Sequence, residues 1–380
     1  MSVARSLQQL EELSIADCKE LRHIMSYEEE DGIDIREDIS PDFNTSYLVF
    51  PNLKKLSIHY CPKLEFALPS SCVGLVHLQE LEIFKASELK YIFGHYNHEH
   101  HSSYQNLIQT KLPVLKVLKL QNLANLLGIC TGNYQTCCPS LRELSCVNCP
   151  KLSTSCIPMM VGLEVGQHLN RGVSYEKEQE KHLTSKLEQV EIRGFSELRF
   201  IWSYPTSKQN VSLQYLQYLK VDGCAKLKCV FSIMMVHRSL PELTSLVIYQ
   251  CEALEEIIAG NEQFQSLANA KICFPKLRHL AVKNCNKLRS LFSIDVVGML
   301  PQLSTLHISE ATELKEVFIH DGEEGIANDE KIEFPSLREI KFTKLSSLVN
   351  FCQGFKLQPL KAVNIMIDEC PKFPPISGAT

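Results

Sequence analysis

One hydrophobic phrase, LxxLxIxxCxxL, recurs along the whole chain. Clear copies are Leu53, Leu56, Ile58, Cys61 and Leu64, then Leu243, Leu246, Ile248, Cys251 and Leu254, then Leu277, Leu280, Val282, Cys285 and Leu288. The first copy starts at Leu10. The twelfth slips in its first part and keeps Ile365, Ile367, Cys370 and Phe373. Around the second Leu and the Ile, apolar and polar residues alternate with period two, which predicts a short strand with one buried face. The Cys, Ala, Leu or Phe three residues later is expected to enter the same core as the chain turns away. A free cysteine acts there as a small hydrophobe.

One such unit cannot bury its apolar face alone, whereas stacked neighbours share a core and line up their strands in parallel. The predicted fold is an α/β leucine-rich-repeat solenoid. It is expected to be a curved horseshoe with parallel strands on the concave face and loops and short helices on the convex face. Repeat spacing varies from 25 residues (Leu53 to Leu78) to 46 (Leu141 to Leu187), against roughly 20–29 for standard repeats. The extra length lies in hydrophilic stretches at 26–45, 94–110, 166–181, 260–270 and 320–331. These are expected to be loops on the outside of one solenoid. Residues 1–380 are therefore read as a single domain of about twelve irregular repeats. Several copies open on an apolar residue before proline, as at Phe50-Pro51, Phe274-Pro275 and Phe334-Pro335. Proline suits a chain entering a strand from its edge.

Residues between the buried strand positions are expected to face a partner. Candidates are Lys55, His59, Phe84, Arg193, Tyr218, Lys220, Asp222, Tyr249 and Lys283. Hot spots favour Tyr, Trp and Arg, which gives weight to Tyr218 and Tyr249 on consecutive repeats. Charges of both signs on this face suit a protein and argue against phosphate tracking. A net charge of -5 points the same way, away from nucleic acid. With no apolar leader at the N-terminus and no run long enough for a membrane span, the expectation is a cytoplasmic protein.

No catalytic residue, metal site or cofactor is expected. Seven of the sixteen cysteines fall at the repeat's own cysteine position, which favours core over a disulfide framework. Cys146 and Cys149 form a CxxC that alone could be half a zinc site, but the repeat register sends both inward. The loop GHYNHEHHSSY holds His95, His98, His100 and His101. It lacks the HExxH spacing of a helix-borne zinc site and reads as a solvated loop. The acidic run from Glu28 to Asp38 lacks the glycine and glutamate spacing of a calcium loop.

Phrases such as FPNLKKLSIHYCPKLE, LPELTSLVIYQCEALEEII and FPKLRHLAVKNCNKLRSLF resemble the repeat region of plant intracellular immune receptors. Members of that family carry a coiled-coil or related N-terminus, a nucleotide-binding domain and then leucine-rich repeats. The resemblance implies partners: a pathogen effector or a host guardee protein, and the nucleotide-binding domain of the same receptor, which the repeats hold inactive. The sequence contains no GxxxxGK[ST] loop, so that switch is absent from this chain. The first repeat also starts by Leu7 without a polar cap. The expectation is thus the C-terminal part of a receptor or a truncated relative. Two other readings stand beside it. One is the substrate-recognition repeats of an F-box type ubiquitin ligase adaptor, whose repeats are more even. The other is a metal-dependent enzyme using the His95 to His101 loop.

Overall fold

The computed structural model describes residues 7–25, 50–69, 75–94, 109–130, 135–152, 183–202, 211–232, 240–259, 274–293, 300–319, 331–332, 334–352, 356–357 and 363–374. The chain divides into two compact units, Met1–Glu164 and Val165–Thr380. In the first, five strands pair in parallel: β1 (Glu12–Ala16), β2 (Lys55–His59), β3 (Glu80–Phe84), β4 (Val117–Gln121) and β5 (Glu143–Val147). Their register matches repeat to repeat. Leu13, Leu56, Leu81, Leu118 and Leu144 form one row across the sheet, and Ile15, Ile58, Ile83, Leu120 and Cys146 another.

The second unit repeats the arrangement with seven strands. They are β6 (Gln189–Arg193), β7 (Tyr218–Asp222), β8 (Ser245–Tyr249), β9 (His279–Lys283), β10 (Thr305–Ser309), β11 (Glu339–Thr343) and β12 (Asn364–Asp368). All are parallel and in register, each pairing with the next. The two inward positions of β6 to β11 are almost wholly buried: Leu246, Ile248, Leu280, Leu306 and Phe342 among them. A one-residue slip would turn this whole row to solvent, so burial pins the register.

The spacing of the phrase follows from two turns. Before each strand, Leu53 N–H donates to the Phe50 carbonyl (3.1 Å), Leu277 to Phe274 (3.2 Å) and Leu337 to Phe334 (3.2 Å). Proline therefore takes the second corner of a four-residue turn, where its fixed φ is favourable, rather than the first place in a strand. After each strand, Leu64 N–H donates to Cys61 (3.2 Å), Leu254 to Cys251 (3.1 Å) and Leu288 to Cys285 (3.2 Å). The CxxL spacing is that turn, with its first and last side chains both in the core.

A further device was not foreseen from the phrase. The residue directly after every strand adopts positive φ: Asp17, Tyr60, Lys85, Asn122, Asn148, Gly194, Gly223, Gln250, Asn284, Glu310, Lys344 and Glu369. At ten of these positions, all but Asn148 and Glu369, the N–H reaches the carbonyl ending the next strand. Tyr60 donates to Phe84 (2.9 Å), Lys85 to Gln121 (3.0 Å), Gly223 to Tyr249 (3.0 Å) and Gln250 to Lys283 (2.8 Å). One residue further on, all seven repeat cysteines aim Sγ at the carbonyl closing their own strand. The distances include 3.4 Å for Cys61 to His59, 3.3 Å for Cys251 to Tyr249 and 3.5 Å for Cys285 to Lys283. At Cys61, Cys149, Cys224, Cys251 and Cys285 the side chain also fills the core, whereas Cys18 is exposed and Cys370 only partly covered. In every case the carbonyl gains a weak S–H donor that alanine lacks.

On the return side, where loops and short helices were expected, the described residues carry short parallel strands and no helix. Phe66–Pro69, Tyr91–Gly94 and Gly128–Cys130 form a three-stranded sheet in the first unit. In the second, Phe231–Ser232 pairs with Ile258–Ala259 and Phe292–Ser293 with Phe318–Ile319. Stacked phenylalanines back this side, with Phe318 5.5 Å from Phe351 and Phe274 5.6 Å from Phe292 between ring centroids.

Leu246→Ala removes a fully buried leucine and is expected to cost about 2–5 kcal/mol. In Gly223→Ala a new Cβ would come no closer than 3.5 Å to any neighbour, so only the backbone penalty of about 1 kcal/mol remains. Urea unfolding midpoints check both. Burial pushes the Cys149, Cys229 and Cys352 thiols up to about 11. At pH 8, native protein should therefore alkylate exposed Cys18 while those three react only after denaturation, as peptide mass mapping would reveal.

Candidate protein-binding face

Positions one, three and five of each strand face away from the core. In the first unit the carboxylate and lysine rows interlock. Lys55 Nζ lies 2.8 Å from Glu80, and Lys119 lies 3.3 Å from both Glu82 and Glu143. The Glu80 carboxylate, by hydrogen bond and charge, raises the Lys55 pKa. Partial burial works against the charge on Lys119, yet Glu143 and Glu82 outweigh it and the net shift is upward.

The far end of the same strands is aromatic. Phe84 stands 6.0 Å from the His59 ring and 5.2 Å, edge-on, from Tyr60. Lys85 Nζ sits 4.8 Å from the Tyr60 centroid and 5.2 Å from that of Phe84, within cation–π range. Tyr60 is 43% exposed. Neither Tyr60 nor Lys85 was a candidate from sequence, because the turn position was not counted as part of the face. The signal was present: the same column holds Asn122, Asn148, Gly194, Gly223 and Asn284, the residue types that tolerate positive φ.

In the second unit, Arg193 Nε contacts Asp222 Oδ2 at 3.2 Å, and Lys220 Nζ contacts Glu191 at 2.9 Å. Asp222, a candidate contact, is only 7% exposed and is engaged by Arg193. Lys283 lies 3.6 Å from Glu310. Tyr218 is half-buried, and burial raises its phenol pKa against the opposing pull of Lys220. Tyr218 pairs with Ser245, while Tyr249 pairs with Asp222 and Lys283. The two tyrosines thus occupy opposite ends of adjacent strands, about 13 Å apart along the strand direction at ~3.3 Å per residue. They bracket a face rather than form one aromatic cluster.

Beside them, His279 Nδ1 is 2.5 Å from Thr305 Oγ1 and its ring meets His307 edge-on at 5.7 Å. Burial, then the His307 charge, lowers the His279 pKa below its ordinary 6.5. Of the nine candidates, Lys55, Arg193, Lys220, Asp222 and Lys283 each have an ion-pair partner on the sheet. The other four, His59, Phe84, Tyr218 and Tyr249, are aromatic.

Cys146 and Cys149 are fully buried, where the repeat register put them. Among the described residues no group of His, Cys, Asp and Glu is arranged to hold a metal ion, and no helix is long and apolar enough to cross a membrane. The histidine loop at 95–101 and the acidic run at 28–38 lie outside the described residues.

The repeats match the family model for plant disease resistance protein RPS2-like leucine-rich repeats over residues 33–164, 154–252 and 252–375. A probable disease resistance protein of Arabidopsis thaliana is 32% identical over 121 residues. That match covers 31% of this chain and 12% of the Arabidopsis protein, so the chain spans a small part of its relative's length. In-register strands, the cysteine-bearing turns and this match over most of the chain agree: the chain belongs to the RPS2-like plant disease resistance family, whose leucine-rich repeats span residues 33–375.

Proposed function

We propose that the chain is a protein-recognition module, working as the sensing and autoinhibitory region of a disease resistance protein. The observation that carries this reading is the outward strand face. Most of its charges are spent between neighbouring strands, which leaves aromatic side chains as the groups free to gain from a partner. Desolvating an aromatic that has no pair to break is favourable, and interface hot spots are enriched in such residues. Mixed and mutually cancelled charge gives no field for a nucleic acid to follow.

Partners of this kind are a pathogen effector or a host protein that an effector alters, and the nucleotide-binding domain of the same receptor. Family membership supports that assignment, as it supports a cytoplasmic location and a non-enzymatic role. The whole of 1–380 acts as one array of about twelve repeats. The F-box reading gains nothing from the family match, and the loop on which the enzyme reading rests lies outside the described residues.

A transcript read through the Met1 codon tests the receptor assignment. An in-frame upstream segment carrying GxxxxGK[ST] supports autoinhibition within one chain, and a true 5′ end just before Met1 removes it. With the nucleotide-binding segment or an effector in hand, Tyr218→Ala plus Tyr249→Ala should weaken binding at least tenfold, on the scale of about 2 kcal/mol per hot spot. Lys276→Ala, which breaks an exposed pair with Glu242 (2.7 Å) off the strand face, should change it less than twofold. Titration calorimetry separates the two results.

A further inference from the structure

Across β8 to β11 the face is not level. Two rows run side by side through the register. Position three holds Val247, Ala281, His307 and Lys341, and position five holds Tyr249, Lys283, Ser309 and Thr343. Long side chains surround two short ones, Ala281 and Ser309, and the result is a depression of about 200 Å³ bounded by Tyr249, Lys283, His307 and Lys341. That is smaller than the roughly 300 Å³ at which small-molecule pockets begin. It is room for one side chain, not for a cofactor.

The chemistry of the rim selects which side chain. Lys341 is exposed and has no ion-pair partner among the described residues. Lys283 is half exposed, and its carboxylate partner among the described residues, Glu310, is at 3.6 Å, too far for a charge-assisted hydrogen bond. Glu310 and Lys344 occupy the turn positions of neighbouring repeats, and Glu339 faces His307 at 3.2 Å. The lining itself holds Lys283 and Lys341 and no carboxylate, with Glu310 and Glu339 standing outside it. The polar lining is also incompletely satisfied. His307 Nε2 approaches Glu339 without hydrogen-bond alignment. It is buried without a hydrogen-bond partner among the described residues, as are Asn284 Oδ1 and Thr343 Oγ1 close by.

Building on the recognition role proposed above, we propose that this depression seats an aspartate or glutamate side chain from a protein partner, its carboxylate held between Lys283 and Lys341 above Ser309 with the Tyr249 ring as one wall. An acidic side chain on a partner's exposed loop supplies the carboxylate that this lining lacks. It also displaces no existing short ion pair, whereas a carboxylate docking at Lys55 or Lys220 would compete with Glu80 or Glu191 at under 3 Å.

The test pans a phage-displayed library of disulfide-closed loop peptides on the full chain and counter-selects on Ala281→Phe. That change fills the depression without altering charge. Because Ala281 is only 2% exposed at the floor of the depression, thermal melting checks that this variant keeps the wild-type fold. The expected survivors carry Asp or Glu at one fixed loop position, lose at least tenfold in affinity when it becomes Asn or Gln, and lose as much on Lys283→Ala/Lys341→Ala. Exchanging that acid for Lys should restore binding to Lys283→Glu/Lys341→Glu. Survivors without an acid, or an absence of clones sensitive to Ala281→Phe, overturn the acid site. If clones ignore Ala281→Phe but fail on Tyr218→Ala/Tyr249→Ala, the recognition face stands and only its acid seat is lost. Clones indifferent to every face substitution remove both.

Discussion

Parallel, in-register stacking places each side chain beside its own counterpart one repeat away, at the strand spacing of about 4.8 Å. Everything else in the protein answers to that constraint. Leucine rows bury against leucine rows, and the two core columns are almost sealed from water except in the first and last strands, where Ile367 is 36% exposed. A charged column tolerates the same proximity only if its sign alternates or its members find opposite charges next door. Lys63 therefore meets Glu20 at 2.6 Å, Lys226 meets Glu197 at 2.6 Å and Lys54 meets Glu11 at 2.7 Å, each pair at equivalent places in consecutive repeats. Each such exposed pair is worth only about 0–1 kcal/mol. Their collective effect is on register, since a slipped pairing would set like charges side by side.

That same neighbour rule accounts for how the recognition face is composed. Lysines of the face that lie next to glutamates are drawn into pairs across the sheet, as with Lys55, Lys119 and Lys220. Aromatic residues have no comparable lateral demand and stay available. Where the alternation lapses, at Lys341 beside His307 and two strands from Lys283, two lysines line a gap above small residues with no carboxylate among the lining. A face built for cohesion is thus informative at the places where cohesion is incomplete.

Much of this could be read in the chain before any coordinates. Period-two alternation around Leu56 and Ile58 marked the strands, and the fixed cysteine column marked the core, because both patterns are direct images of burial. The outward positions were equally legible, since alternation fixes which residues face out. What alternation does not encode is what those residues do to each other. The burial of Asp222 under Arg193 depends on the pairing of β6 with β7, and the separation of Tyr218 from Tyr249 depends on their places in the strand. The proline turns and the short return strands were missed because they are set by backbone hydrogen bonds that carry no hydrophobic period. The cysteine column was identified as apolar filling; its aim at the closing carbonyl needed geometry.

The positive-φ residue that ends each strand joins repeat to repeat through main-chain atoms alone. Tyrosine, lysine, glutamate, glutamine, asparagine, aspartate and glycine all occupy it and make the same contact. Because the joint is indifferent to the side chain it carries, this edge of the array is free to change identity without a change of fold. Its cost, about 1 kcal/mol wherever the occupant has a Cβ, is small beside the burial of a single leucine pair. Such an edge lets mutation sample new surfaces one repeat at a time, with the architecture held constant while the message it displays is rewritten.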